Sequence, residues 1–263
     1  MSLIQIDTEK CKRDGICAAV CPAEIIRLEG EAFPEETADA DQRCISCGHC
    51  VAACPEGALS NSRVTGCLPF DEDKRASAEA LTQFLKMRRS IREFKSLPVP
   101  RETLAHAIDT ARWAPSAVNL QPVRWLVVEK PENTRKLAGL LADWIRASQV
   151  SYLQRFVDAW DQGRDLILRN APHVIVAHAS PENIWSPVDC AIAVTYLELA
   201  AQADGLGTCW SGILMRAAGQ DKRFAEYLGL PPEHKIFGAV MIGYPKFRYH
   251  RIPEKNRAVI DWL

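Results

Sequence analysis

No stretch of this 263-residue chain stays apolar for the eighteen or so residues that a membrane-spanning helix needs. Residues 1–10 hold no apolar run of the kind that opens a secretory leader, so none is expected. An excess of either charge is missing too: 32 Lys and Arg stand against 33 Asp and Glu, which argues against a nucleic acid or a membrane surface as partner. A dinucleotide fingerprint is also lacking, because Gly205-Leu206-Gly207 closes a helical stretch instead of opening one after a strand. What remains is the composition of a water-soluble globular protein, long enough for one large domain or two smaller ones.

Cysteine, by contrast, is plentiful: there are ten, and seven of them fall in two runs. Cys44, Cys47, Cys50 and Cys54-Pro55 follow the spacing C-x2-C-x2-C-x3-C-P. That spacing places three thiolates on one iron–sulfur cage and carries the fourth away towards another. Upstream, Cys11, Cys17 and Cys21-Pro22 match the first, third and fourth positions of the same pattern, and Asp14 holds the second. Structural zinc also uses paired C-x2-C groups, but rarely this run of four ending in proline.

The two runs together resemble a bacterial two-cluster ferredoxin. The resemblance implies that Cys44, Cys47, Cys50 and Cys21 hold one [4Fe–4S] cluster, and that Cys11, Cys17, Cys54 and Asp14 surround the second. Carboxylate is a harder and poorer iron ligand than thiolate. The second cage is therefore expected to be either an Asp-ligated [4Fe–4S] or a [3Fe–4S] centre. Ligating thiols must stay reduced, which points to a cytoplasmic location.

Charge divides unevenly along the chain. Residues 1–60 carry five Lys and Arg against eleven Asp and Glu, so the remainder is basic. The expected organisation is a cluster-binding head over 1–60, a polar linker over 61–77 and a body over 78–263. In the body, helical periodicity marks Ala78–Lys86, Glu102–Trp113 and Asn133–Ala147, with a long helical stretch continuing towards Arg169. Buried strands are expected at Trp125–Val128, Val174–Ala177 and Phe237–Ile242. Asp189–Ala203 reads as a helix apolar nearly all round, as suits a core or a subunit interface. Helices flanking a small sheet give an α+β or α/β sandwich.

Four motifs in order mark the body: Arg88-Arg89-Ser90-Ile91-Arg92-Glu93-Phe94, Ala114-Pro115-Ser116-Ala117-Val118-Asn119-Leu120-Gln121-Pro122, Gly205-Leu206-Gly207-Thr208-Cys209-Trp210-Ser211-Gly212, and the tail Ile242-Gly243-Tyr244-Pro245. They resemble the nitroreductase family of FMN enzymes, so the chain looks like a ferredoxin–nitroreductase fusion. The resemblance implies FMN held by Arg88, Arg89, Ser90, Arg92, Arg248 and Arg251, whose charges suit a phosphate. It also places Pro115, Ser116, Ala117 and Asn119 beside the ring and ribityl chain, and Trp210, Ser211 and Gly212 at the ring edge that becomes negative on reduction. No side chain is assigned covalent chemistry, because the cofactor supplies it.

Family membership further implies a homodimer with the flavin at its interface. It implies a small-molecule electron acceptor such as a nitroaromatic or quinone, and NAD(P)H or a soluble carrier as donor. The rival readings are a relay passing electrons to a partner protein and a reductase specific for one metabolite. Cys67, Cys190 and Cys209 are expected to be small buried side chains. His49 is expected to face solvent. Trp144, Tyr152, Phe156 and Trp160 are expected in core or interface packing.

Overall fold

The computed structural model describes residues 2–148 and 150–263; Gln149, within the stretch expected to be helical, and Met1 lie outside them. Two compact units emerge, a head of residues 2–75 joined by Ala117–Leu120, and a body of 76–116 and 121–263.

In the head, β1 (Ile4–Ile6), α1 (Ile16–Ala19), β2 (Ile26–Arg27), β3 (Glu35–Glu36), α2 (Ala40–Arg43), α3 (His49–Ala52) and β4 (Leu59–Asn61) follow one another. β1 pairs antiparallel with β4, joining the two ends, and β2 pairs with β3. The apolar core is small, built on Leu3, Ile4, Ile25, Ile26, Ala40 and Leu59 together with Cys17 and Cys50.

The body contains α4 (Ala78–Met87), α5 (Arg101–Ala111), β5 (Arg124–Val128), α6 (Pro131–Ser148), α7 (Gln154–Asp161), β6 (His173–Ala179), α8 (Ser186–Ala203), β7 (Gly207–Trp210), α9 (Gly212–Gln220), α10 (Arg223–Tyr227) and β8 (Lys235–Gly243). Its four strands form one antiparallel sheet in the order β5-β6-β8-β7. Side chains alternate across a strand, so both faces can be buried. Val174, Val176, Ala239 and Met241 pack with α6, α7, α9 and α10; Ile175, Ala177, Val240 and Ile242 pack with α5 and α8. The body is therefore a three-layer sandwich. Gly238 lets α8 lie close to the sheet, for a Cβ there would stand 2.7 Å from Val194 Cγ2.

Two expectations need correction. The helical stretch does not run to Arg169: α7 stops at Asp161, Gly163 takes a left-handed φ of 80°, and its N–H closes on Trp160 O at 2.8 Å. α8 is apolar nearly all round as expected, with Val188 and Tyr196 exposed and with Asp189 and Glu198 as buried exceptions. Cys67 is exposed, whereas Cys190 and Cys209 are buried as expected. Burial pushes the Cys190 thiol up to about 12, which makes it inert. Trp144 is buried, Phe156 and Trp160 are half-buried, and Tyr152 and His49 are exposed. Among the described residues no helix is long and apolar enough to cross a membrane.

A buried histidine ties α5's entry to the sheet. His173 Nε2 accepts the Val99 N–H at 2.8 Å, so Nδ1 carries the proton and donates to Glu129 O at 2.6 Å. Burial holds the imidazole below its ordinary pKa. A depressed folded pKa means that stability is complete above the unfolded value and is lost as pH falls through about 6.5 towards the folded one. Protonation would set two donors against each other at Val99. The Val99 amide protection factor, measured by hydrogen exchange and corrected for intrinsic rate, should fall between pH 7 and pH 5; a constant value would contradict this assignment.

Candidate functional site

The two cysteine runs adopt one backbone shape. Arg13 and Ser46 both take left-handed φ values, 59° and 54°, and so do Gly15 and Gly48, at 74° and 73°. Each pair brackets the second ligand position, which is Asp14 in one run and Cys47 in the other. Short helices then follow, α1 and α3, and each buries the third ligand, Cys17 or Cys50. Asp14 thus stands where a thiolate stands in the other run. Its Oδ1 accepts the Ile16 N–H at 3.1 Å, and among the described residues Oδ2 accepts no hydrogen bond.

Folding crosses the two runs. Cys11, Asp14, Cys17 and Cys54 line one small cavity, walled by Ile6, Pro34 and Leu59. Cys21, Cys44, Cys47 and Cys50 line another, walled by Ile25 and Asn61. Each cavity takes three candidate ligands from one run and its fourth from the other. Burial pushes the Cys17 thiol up, and the charges of Asp14, Cys11 and Cys54 push it the same way; Cys50 responds likewise to burial and then to Cys21, Cys47 and Cys44. Ligands crowded in this way suit a cationic core that stabilises their deprotonated forms. Donors already point at the sulfurs: Ser46 N and Asn61 Nδ2 approach Cys44 Sγ at 3.4 and 3.6 Å, and Ala58 N approaches Cys54 Sγ at 3.3 Å.

In the body, the arginine motif lies against β7 and the segment after β8. Ile91 N donates to Thr208 O at 2.8 Å, Lys95 N to Tyr244 O at 2.9 Å and Lys246 N to Glu93 O at 2.9 Å. A Cβ on Gly207 would collide with the Ile91 side chain, so only glycine permits this approach. The result is a cavity of about 500 Å³ lined by Arg88, Arg89, Lys246 and Arg248, with Glu198 and Thr208 on its floor. Glu198, 5 % exposed, accepts from Thr208 Oγ1 and Trp210 Nε1 at 2.8 Å each and from Arg88 Nη1 at 3.5 Å. Arg89 Nη2 donates to Lys86 O at 2.5 Å, while its buried Nε has no partner among the described residues. Five cations, Lys95 included, around one carboxylate, with an unsatisfied guanidinium N–H, fit the dianionic phosphate of FMN.

The other expected flavin residues fall elsewhere. Ser90 bridges to Thr208 through the backbone and is not part of that cavity's lining. Arg92, Trp210, Ser211 and Gly212 line a second cavity of about 300 Å³. Ser211 N is already committed to Ala239 O at 2.8 Å, so the donors left for a ring edge are the first-turn N–H groups of α9, from Gly212 onward. Pro115 and Ser116 line a third cavity, of about 630 Å³. Ala117 and Asn119 group with the head instead, and Asn119 Nδ2 donates to Ile45 O at 3.2 Å and Ser46 O at 3.1 Å. Arg251 lies in the exposed tail and lines none of the three. Glu198 and Lys246's neighbour on the cavity floor, Thr208, were not singled out from sequence. An acid in an otherwise apolar helix, a trait it shares with Asp189, was the available signal for the first, since buried carboxylates need partners.

Comparison with known proteins matches this geometry. The profile of the nitroreductase family fits residues 85–244, and that of the 4Fe-4S dicluster domain fits residues 3–55. A protein of Archaeoglobus fulgidus, provisionally named NADH dehydrogenase/NAD(P)H nitroreductase, is 29 % identical over 64 % of this chain and 87 % of its own. Iodotyrosine deiodinase 1 of Rattus norvegicus is 24 % identical over 73 % of this chain and 71 % of its own. The fold is shared with a nitroreductase with bound FMN from Bacteroides fragilis, at a TM-score of 0.58 and 21 % identity, covering 69 % of this chain and 98 % of that one.

Proposed function

The chain belongs to the nitroreductase family and is an FMN-dependent oxidoreductase with a 4Fe-4S dicluster head; we propose that the head takes up electrons and the body delivers them to a small acceptor such as a nitroaromatic or quinone. When bound, the iron–sulfur cages carry single electrons and FMN exchanges between one- and two-electron chemistry. The donor is NAD(P)H or a soluble electron carrier. One observation carries the reading: two four-ligand cavities and a cationic cavity suited to a dianion lie on a single polypeptide.

The roles of the chain's own residues follow. Arg88, Arg89 and Arg248 hold the phosphate, with Ser90 and Arg251 as further candidates. Arg92 faces the ring edge that gains negative charge, together with the α9 first turn after Trp210 and Ser211. Pro115 and Ser116 wall the ring. Because these last two line a separate cavity from Arg88 and Arg89, a homodimer would complete the site with parts of both copies. Exposed Trp185, Val188 and Tyr196 offer an apolar face for such an interface. Light scattering at micromolar concentration should return the mass of two chains; a single-chain mass would reject this arrangement. All ten cysteines are free, in keeping with a reducing cytoplasm.

The acceptor is testable directly. Holoprotein reduced under argon and mixed with a nitroaromatic or a quinone should lose its reduced-flavin and reduced-cluster absorbance within single turnovers. Reoxidation only on adding a partner protein would replace the enzyme by a relay.

Cys21, Cys44, Cys47 and Cys50 are proposed to hold an all-thiolate [4Fe–4S] cluster. For the other cage we propose Cys11, Cys17 and Cys54, with Asp14 either on the fourth iron or beside a [3Fe–4S] centre. A three-iron centre is paramagnetic when oxidised and an oxidised cube is not. Replacing Asp14→Cys should remove any oxidised-state EPR signal and yield two cubes on reduction; an unchanged spectrum would place Asp14 away from the cage.

A further inference from the structure

The cavity of about 300 Å³ beside the first turn of α9 is lined by three arginines, Arg92, Arg169 and Arg216, and by no carboxylate. Some arginines of this body pair with acids: Arg101 with Glu129, Arg146 with Asp143, Arg223 with Asp221. None of the three cavity arginines forms an ion pair among the described residues. Arg92 reaches only Ser90 O, at 3.4 Å, and Arg216 only the Tyr152 hydroxyl.

Arg169 is delivered by a braced loop. The buried Asp165 carboxylate, 6 % exposed, accepts the N–H groups of Ile167 and Leu168 at 2.8 Å each and of Asn170 at 2.9 Å. Arg169 and Asn170 both adopt left-handed φ values, 60° and 48°, a costly shape that the carboxylate holds in place. Arg216 rises from α9 and stacks over the Tyr152 ring at 5.6 Å, with Phe156 on the same wall. The Ser211 hydroxyl, 2 % exposed and lining the cavity, has no partner among the described residues. Unpaired cations, an unsatisfied buried hydroxyl and aromatic walls make a receptor for a flat anion.

With Arg92 assigned to the flavin ring edge, Arg169 and Arg216 remain. We infer that they, with Tyr152, recognise the acceptor itself, and that this acceptor is an aromatic molecule bearing a carboxylate. The inference rests on the flavin-reductase reading and specifies its substrate class. An anion held between two guanidiniums gains charge-assisted hydrogen bonds that its neutral analogue lacks.

The test is a binding titration of oxidised, FMN-loaded full-length protein, followed by the flavin absorbance, with 4-nitrobenzoate and with nitrobenzene. The anion should bind about tenfold or more tightly than the neutral compound. That preference should collapse in Arg216→Gln and shrink in Arg169→Gln, with flavin content unchanged. Tyr152→Phe, which keeps every charge, should weaken it less. Equal affinity for the two compounds, or a preference that survives both arginine substitutions, would overturn the assignment; so would flavin loss from Arg169→Gln, which would give that residue to the cofactor. Binding needs no turnover, so a protein that prefers the anion yet reduces no nitroaromatic would disprove the proposed acceptor chemistry and leave the receptor standing.

Discussion

Each four-residue cavity in the head draws one side chain from the other's run, and the rest of the head is built around that exchange. Cys21 and Cys54 both precede proline and both leave their own run's cavity for its neighbour. The apolar core that surrounds them is only a handful of side chains. A core of that size supplies little stability by itself, and metal binding has to contribute folding energy directly. Crossing the ligands makes this contribution cooperative, because neither run can hold its cage while the other is unfolded. The β1–β4 pairing then needs to close the ends of the head and little more.

In the body the comparable constraint is a buried carboxylate. Glu198 sits, like Asp189, on the buried side of a largely apolar helix, where an unpaired charge would be expensive. Its two short bonds come from neutral donors, the Thr208 hydroxyl and the Trp210 indole, and its contact with Arg88 is the longest of the three. Glu198 is thus satisfied largely without Arg88. The guanidinium, 31 % exposed on its side chain, is anchored at one end and keeps its charge for the cavity. Gly207 completes the arrangement by letting the arginine motif lie directly on β7. α8, β7 and the motif are therefore fixed as one assembly around the anion site.

The sequence shows local patterns plainly and non-local pairings poorly. The cysteine spacings picked out the seven thiols and the aspartate that the structure groups into two four-residue cavities. Helical period placed α4, α5 and α6, and apolar runs placed β5, β6 and β8. β7 was hidden by its brevity and by glycine. The end of α7 was missed because Gly163 and the amide-binding Asp165 act against an apolar pattern that continues past them. Most of the arginine motif was legible, but its division was not: Arg88 and Arg89 line one cavity and Arg92 another. That Trp210 and Thr208 share Glu198 depends on packing that no spacing records.

Asn119 shows where a motif residue can be taken by a second demand. Val118, Asn119 and Gln121 all take left-handed φ values, 45°, 55° and 49°. Such conformations cost roughly 1 kcal/mol or more each, most for a β-branched residue such as Val118. A segment carries that cost only where its surroundings determine its shape. Here the Asn119 amide spans the carbonyls of Ile45 and Ser46, in the loop between two cluster ligands, and the N–H of that same Ser46 donates to Cys44 Sγ. Fixing both ends of the Ser46 peptide environment fixes the direction of its N–H, and a cluster's potential responds to such hydrogen bonds at its sulfurs. The strain in residues 118–121 is therefore matched to the rigidity of a ligand loop far away in sequence, and Ala117–Leu120 groups with the head for that reason.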